Sequence, residues 1–342
     1  MQAIDENTYK EDLVQAISSI PNFEILENKN ILITGATGLI ASVITDIFRM
    51  YNLTQKSGIT IFLTSRDKNK LARAFGNESE EIKFVETDLL SEKDLPDRID
   101  YVIHSASVAS PDRYVKYPVE TVQSNLNSTL MLLNKYKNVQ KFIFVSSGEI
   151  YGEVKTKDVR FSEDMTGEFY SLSPRSSYPI SKLMAENICV DYFEEYGSKT
   201  VIARPSHVYG PNFNKQDKRA ASYFLTQGLK KKNIELKSSG AQFRSFTYVN
   251  DAASGIISAL TVGQPGQAYN VSNTAEAMTM LNFVELVAEE ANIDYSFRKE
   301  DTEVSHAVLS NKKLTELGWK PIFSNKKGIS HSMSIRRNIN NE

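Results

Sequence analysis

From Asn30 onward, short apolar runs, "NILIT", "ITIFL", "IKFV", "YVIHS", "KFIFVS" and "TVIAR", alternate with segments of helical periodicity. Runs of this kind, without polar alternation, need cover on both faces, and the helical segments between them are long enough to make crossovers. The pattern predicts an α/β fold, a doubly wound parallel sheet wrapped by helices. After "HVYGPN" the regularity breaks: the Lys-rich "LTQGLKKKNIEL" reads as a helix, and "SFTYVNDAASGIISAL" returns to strand and helix. A main domain over residues 29–205 and 245–273 is therefore expected, with a smaller α/β substrate lobe from 206–244 and 274–342. Residues 1–28 read as a helical extension, with Thr8 and Glu11 at capping-box spacing and Leu13, Ala16, Ile17 and Ile20 forming a stripe. Lys230 to Lys232 read as a solvated helix face.

Composition narrows the function classes. The 342 residues carry 40 basic and 42 acidic side chains, which gives no reason to expect a nucleic acid or an anionic membrane as partner. A single cysteine, Cys189, can form neither an internal disulfide nor a multi-cysteine zinc site, and reads as a small buried side chain. The histidines His104, His207, His306 and His331 lack ligand spacing, so no metal is expected. Charged residues at the N-terminus replace a signal peptide, and no later run reaches membrane-spanning length; a soluble cytoplasmic protein is the expectation.

The turn "TGATGLIA", Thr34 to Ala41, follows the first apolar run and opens a helix. Backbone amides there can meet a pyrophosphate, because Gly35 and Gly38 carry no Cβ, and Ala41 lets the helix pack closely on the sheet. Thr37, Leu39 and Ile40 complete this candidate cofactor turn. The spacing, G-x-x-G-x-x-A, is a weak signal alone; its place after the first strand of an alternating chain makes it a dinucleotide site. At the end of the second run stands Arg66 rather than the acidic residue that would hold the ribose hydroxyl of NAD. Asp67 follows it. Arg66 could instead pair with the additional phosphate of NADP, so NAD and NADP both remain open. Asp88 follows the third strand, where it could meet the adenine edge.

"SSYPISK" puts Tyr178 and Lys182 on one helical face, and "VSSGEIYG" brings Ser147 and Glu149 to a strand end. A tyrosine has an ordinary pKa of about 10, too high for a base at neutral pH. A neighbouring ammonium and a cationic nicotinamide would both favour the phenolate. Tyr178 would then accept the proton of a substrate hydroxyl, with Lys182 holding the ribose and Ser147 bonded to the same oxygen.

Together, "TGATGLIA", "TDLL", "HSASVASP", "SNLNSTLMLL", "VSSGEIYG", "SSYPISK", "ARPSHVYGPN" and "RSFTYVND" resemble, in order, the motifs of extended short-chain dehydrogenase/reductases that modify nucleotide sugars. The resemblance spans residues 29 to 335 and implies a Rossmann-like fold, an NAD cofactor, a nucleotide-diphosphate sugar substrate and a homodimer formed by helices starting near Pro118 and Tyr178. It implies Ser147, Tyr178 and Lys182 as the catalytic triad, Asn125 beside the nicotinamide, Leu89 and Ser105 along the cofactor, and Arg244 on the diphosphate. Glu149 is the informative residue: the motifs are closest to UDP-glucuronate decarboxylases, in which Glu149 would manage protons and Arg175 or Arg244 would meet substrate charge. Gly148 stands where 4,6-dehydratases place an acid, and His207 replaces the family's diphosphate-contacting Asn. Epimerisation, dehydration, simple C4 dehydrogenation and a non-catalytic nucleotide sensor are the alternatives; a sensor usually lacks the Tyr or the Lys.

Overall fold

The computed structural model describes residues 3–89, 91–152, 159–167, 170, 172–213, 217–297 and 306–340. Strands β1 (Asn30–Thr34), β2 (Thr60–Ser65), β3 (Ile82–Glu86), β4 (Tyr101–His104) and β5 (Lys141–Val145) join the strands Thr200–Pro205 and Gln267–Val271 in one seven-stranded sheet. Its spatial order is Gln267–Val271, Thr200–Pro205, β5, β4, β1, β2, β3, and every pairing is parallel. The chain moves outward from β1 to β3, then returns to β4 on the other side of β1. That reversal opens a crevice at the C-terminal ends of β1 and β4, where open sheets of this class bind ligands.

The helices are α1 (Asn7–Ser18), α2 (Leu39–Gln55), α3 (Lys68–Phe75), α4 (Pro111–Lys116), α5 (Pro118–Tyr136), α6 (Ser177–Tyr196), α7 (Ala220–Leu229) and α8 (Val249–Val262), followed by further helices that include Met280–Ala291 and Asn325–Asn340. Successive β1 side chains face opposite layers. Ile31 and Ile33 pack toward Ile44, Phe48 and Ile256 of α2 and α8, while Leu32 joins Leu132, Leu133, Ala185 and Ile188 of α5 and α6. Cover on both faces explains why the apolar runs show no alternation. Beyond the main sheet, Met278–Thr279, Phe243–Arg244, His306–Leu309 and Arg160–Phe161 form a four-stranded sheet, and two short parallel pairs flank it. Trp319 is fully buried, its Nε1 donating to Ser254 Oγ at 3.0 Å.

Two local expectations need correction. Helix α1 is capped by Glu6, whose Oε2 accepts from the Tyr9 amide at 2.8 Å, and Thr8 lies inside the helix. The Glu6 carboxylate, also bonded to Asn338, reaches the first-turn amides before a Thr8 cap could form. Lys230 to Lys232 do not form a helix face: α7 stops at Leu229, Lys231 adopts φ +52°, and the three exposed lysines lie in the turn into strand Ile234–Leu236.

The β1–β4 crossing is pinned by side chains. Thr34 Oγ1 accepts from the amides of Ser105 and Ala106, each at 3.1 Å, and lies 2.8 Å from His104 Nδ1. With its acceptor sites taken, the hydroxyl donates to Nδ1. The ring proton therefore sits on Nε2, facing Ser128 Oγ and Thr129 Oγ1 at 3.1 and 3.2 Å. Burial first, then the Lys182 charge, pushes His104 down to about 3, so it stays neutral. Gly35 closes the crossing: it has φ +65°, and a Cβ there would stand 2.8 Å from Ala106 Cα. Gly35→Ala combines a left-handed backbone with a backbone clash and should destabilise the protein by more than about 1 kcal/mol. Denaturant unfolding checks this; an unchanged midpoint would show that the crossing tolerates a side chain.

Candidate active site

At the crevice, α2 begins with Gly38 as N-cap, so no side chain covers its first turn. Thr37 and Gly38 are exposed, Leu39 and Ile40 half-buried, and Ala41 packs fully against the sheet. An uncapped helix N-terminus offers amides and a positive field to a phosphate. The cradle fits a dinucleotide pyrophosphate, but its glycines divide the work differently from the simple reading. Gly38 has ordinary backbone angles, and a Cβ there would stand 3.1 Å from the Gly35 carbonyl oxygen, whereas Gly35 serves the contact between β1 and the segment after β4.

Farther along the sheet edge, Arg66 is exposed directly after β2. Asp67 caps α3, its Oδ1 accepting from the Asn69 amide at 2.9 Å, and is spent on local structure. Asp88 is exposed and Leu89 buried in a left-handed conformation, φ +61°, with its amide on Thr87 Oγ1. The Ser105 amide is committed to Thr34. Asn125, on α5, is buried and used by the protein on both sides: Oδ1 accepts from Ser107 Oγ at 2.7 Å and Nδ2 donates to Ser181 Oγ at 2.9 Å. It ties the loop after β4 to α6 behind the candidate nicotinamide position.

The candidate catalytic residues converge from two elements. Ser147 ends the β5 loop and caps the short 3-10 turn Gly148–Tyr151, its Oγ accepting from the Glu149 amide at 3.1 Å. Tyr178 and Lys182 stand one turn apart on α6, both buried. Lys182 Nζ donates to the Val145 carbonyl at 2.8 Å and lies 4.5 Å from the centre of the Phe144 ring. Burial depresses Lys182 to about 7, against the pull of Glu186. Tyr178 departs from expectation. Burial first and the Glu149 charge second push its hydroxyl above the ordinary tyrosine value, while hydrogen bonding with Ser147 and the Arg219 charge pull the other way. The protein's own groups around Tyr178 therefore favour the neutral phenol. The i, i+4 spacing makes the side chains neighbours without aiming Nζ at the phenol, and here Nζ points to the strand.

Tyr114 of α4 was not marked by any sequence motif. Its ring stacks on Tyr178 with centroids 5.0 Å apart and planes 10° apart. Its hydroxyl donates to Glu149 Oε2 at 3.2 Å and bonds the Arg175 guanidinium, which lies 5.5 Å over the ring. Arg175 Nη2 stands 3.7 Å from the same carboxylate oxygen. Burial and Glu149 raise Tyr114 to about 12, so it is a neutral donor. Only the two tyrosines of "PDRYVKYP", Tyr114 and Tyr117, could have drawn attention to it.

Beyond this cluster lies a cavity of about 390 Å³ whose walls include Glu149, Tyr170, Arg175, His207 and Arg244. His207 keeps an exposed edge in it, while surrounding protein, followed by Arg244 and Arg219, disfavours its charged form. Arg244 is buried, with Nη1 donating to the Phe243 carbonyl at 3.1 Å. Gly148 borders the same space, and a Cβ on it would stand 2.8 Å from Leu309 Cδ1 and 3.3 Å from the Pro205 oxygen. Among the described residues no group of three or more His, Cys, Asp and Glu could hold a metal ion. No helix there is long and apolar enough to cross a membrane.

A parallel sheet with an open helix N-terminus at its switch point and a Ser–Tyr–Lys cluster at its mouth defines the extended short-chain dehydrogenase/reductase class. The profile of the NAD dependent epimerase/dehydratase family matches residues 31–272, and the chain belongs to that family. UDP-glucuronic acid decarboxylase 1 of Danio rerio is 28% identical over 312 residues, covering 90% of this chain and 72% of that protein. The Arabidopsis thaliana protein of the same name is 30% identical over 316 residues, 90% of this chain and 70% of its own. Among solved structures, a Thermus thermophilus UDP-glucose 4-epimerase complex with NAD is 27% identical, covers 90% of this chain and 99% of that one, and has a TM-score of 0.75. A Bacillus anthracis dTDP-glucose 4,6-dehydratase in complex with NAD shares the fold at 21% identity and a TM-score of 0.74, over 91% of this chain and 97% of its own.

Arg66 gives a direct test of cofactor choice. If it takes a 2′-phosphate, Arg66→Ala should weaken NADP binding at least tenfold more than NAD binding, the scale of one charge-assisted contact. Calorimetric titration with each cofactor measures this, and equal weakening of both would remove Arg66 from cofactor selection.

Proposed function

We propose that this protein uses NAD to oxidise the sugar of a nucleotide-diphosphate sugar at C4 and then decarboxylates it at C5, with a UDP-glucuronate-like substrate. The observation that carries the reading is the Glu149 carboxylate, joined to Tyr114 and Arg175 at the edge of a cavity that also reaches Arg244 and His207. Two features support it over dehydration: position 148 has no acid, and Leu309 with the Pro205 oxygen leaves little room for one. The relatives named UDP-glucuronic acid decarboxylase agree with it.

In this reading the turn Gly35 to Ile40 holds the pyrophosphate, Asp88 and Leu89 flank the adenosine half, and Lys182 with Asn125 fixes the nicotinamide half. Bound NAD would accept the C4 hydride and later return it. Tyr178 takes the C4 hydroxyl proton, and Ser147 bonds the same oxygen as it becomes a carbonyl. The 4-ketone makes the C5 carboxylate a β-keto acid, which loses carbon dioxide and leaves its electron pair on an enolate. Glu149 then handles the proton required at C5, and Arg175, Arg244 and His207 meet the substrate's sugar and diphosphate. Tyr178 takes the C4 hydroxyl proton as the phenolate, the form that the Ser147 hydrogen bond and the Arg219 charge favour against burial and Glu149. Glu149 and Tyr178 disfavour carrying negative charge together, so a proton gained by one eases its loss from the other.

The division into main domain and substrate lobe, a cytoplasmic location and a homodimer through α5 and α6 belong to the same proposal. For the dimer, Val119, Leu130, Leu183 and Met184 expose apolar surface on those helices.

Mass spectrometry of products from UDP-, dTDP-, CDP- and GDP-sugars, with UDP-glucuronate among them, tests the reaction. Loss of carbon dioxide is expected; loss of water or an unchanged mass would replace the reading with dehydration or epimerisation. Tyr178→Phe keeps the ring that stacks on Tyr114 and removes the proton acceptor. Turnover should fall by about 10² to 10⁴, with NAD affinity nearly intact by calorimetry. A variant turning over at the wild-type rate would take Tyr178 out of the chemistry.

Glu149→Gln separates the two stages. It removes the charge that raises Tyr178, so the first hydride transfer should persist, seen as nicotinamide absorbance on adding substrate, while product formation stalls. Completion at the wild-type rate would make Glu149 a structural partner of Tyr114 and Arg175 and favour a 4-epimerase.

A further inference from the structure

A buried polar network lies behind the candidate catalytic residues. Arg204, near the end of strand Thr200–Pro205 and 8% exposed, directs Nε to both Glu186 oxygens at 3.1 and 3.2 Å, and Nη2 to Oε2 at 2.6 Å. Its Nη1 donates to the Tyr151 hydroxyl at 2.6 Å and to the Glu163 carbonyl at 2.8 Å. Tyr151 stacks on Phe161 and passes its own proton to Asn270 Oδ1 at 2.8 Å. Glu186 is one helical turn beyond Lys182 on α6, and Tyr151 ends the 3-10 turn that Ser147 begins. One guanidinium thus grips both elements that carry the candidate catalytic side chains.

We propose that Arg204 is a positioning residue that clamps α6 to the Ser147–Glu149 turn, with Glu186 as its anchor on the helix and Tyr151 as its contact on the turn. Stability alone does not account for such a pair, since buried ion pairs are often no more stabilising than well-packed apolar replacements. An apolar pair could not fork onto a helix and donate to a tyrosine on a second element. The fork sets where Ser147 and Tyr178 stand relative to each other, which is the kind of registration on which rates depend steeply.

The anchor also acts on Lys182. That ammonium meets Glu186 and Cys189 on its own helix, His104 on β4, and the Val145 carbonyl and Phe144 ring on β5. His104 is neutral, and Glu186 is the carboxylate that offsets the burial of Lys182. Removing the Glu186 charge removes that offset, so the Lys182 proton is lost at lower pH.

The proposal rests on the reading that Lys182 holds the nicotinamide ribose and that Ser147 and Tyr178 act on substrate. Wild type, Glu186→Gln and Tyr151→Phe would be titrated with NAD by calorimetry from neutral to alkaline pH, below each variant's melting transition. kcat and KM would be measured on whichever nucleotide sugar the wild type consumes. Glu186→Gln should lose NAD affinity about one pH unit earlier than wild type as pH rises, the shift expected for one lost charge partner. Tyr151→Phe leaves the ion pair in place, so its NAD profile should match wild type while kcat falls about tenfold at unchanged KM. A wild-type pH profile in Glu186→Gln, or a wild-type kcat in Tyr151→Phe, would overturn the clamp. Should the wild type consume no nucleotide sugar, the proposed function fails, and the NAD titrations still decide the role of Glu186. Should Glu186→Gln not fold, Tyr151→Phe carries the test.

Discussion

The contact between Thr34 and His104 decides where everything else in the crevice can stand. Strand β1 must turn into α2 at the same place where β4 releases the segment toward α4 and α5, and the two backbones meet at Gly35 and Ala106. A single hydroxyl receives both amides that begin the second segment and passes its own proton to a neutral imidazole. That imidazole in turn faces Ser128 and Thr129 of α5, one helix turn from Asn125. The same chain of hydrogen bonds therefore registers the helix N-terminus, the loop after β4 and the helix that supports α6. A buried polar network with every member satisfied gives a unique geometry where apolar packing could slide.

Charge in the catalytic cluster is arranged around one carboxylate. Glu149 receives the Tyr114 hydroxyl, approaches Arg175 and raises Tyr178, while Tyr114 stacks on Tyr178 and fixes its plane. Lys182 lies deeper, bonded to β5, and takes its electrostatic support from Glu186 rather than giving support to the phenol. The arrangement separates two tasks commonly credited to one lysine. In the proposed function, orientation of a bound cofactor falls to Lys182, and the proton inventory at the substrate falls to Tyr178, Ser147 and Glu149. Whether Tyr178 can act as a base then depends on what positive charge its pocket holds when loaded, because the side chains around it keep it protonated.

What was legible in the sequence follows from locality. The apolar runs located the strands because burial on both faces erases alternation, and the glycine turn located the crevice because it falls between the first such run and a helix. Ser147, Tyr178 and Lys182 were legible through motifs whose order matched a known family. Tyr114 and the Arg204–Glu186–Tyr151 network were not, since their partners are far away in the chain: 61 positions separate Tyr114 from Arg175 and 53 separate Arg204 from Tyr151. The direction of the Lys182 ammonium was not legible for a related reason. Helical spacing reports which side chains are neighbours, while the direction of Nζ was set by a carbonyl on β5. The cap of α1 falls two residues before Thr8, because Glu6 took the first turn, and α7 ends seven residues short of the helix expected over "LTQGLKKKNIEL", because Lys231 adopts a left-handed backbone and Ile234–Leu236 forms a strand.

Position 148 shows how packing constrains chemistry at such a site. An acid there would have to push aside Leu309 from the neighbouring small sheet and crowd the Pro205 carbonyl at the end of a central strand. The Pro205 oxygen cannot yield easily, because its strand is paired on both sides within the main sheet. The turn can therefore present its acidic group from Glu149, which emerges one residue later on the cavity side and meets Tyr114 and Arg175. With Glu149 the one carboxylate among the described residues of this edge, a reaction that needs an acid and a base on adjacent turn residues is poorly served. A reaction whose leaving group is carbon dioxide needs no acid for departure, only a way to hold the resulting enolate and deliver one proton. Under the proposed function, that asymmetry, set by the space around a glycine, would link the fold of the small sheet to the choice of chemistry at the large one.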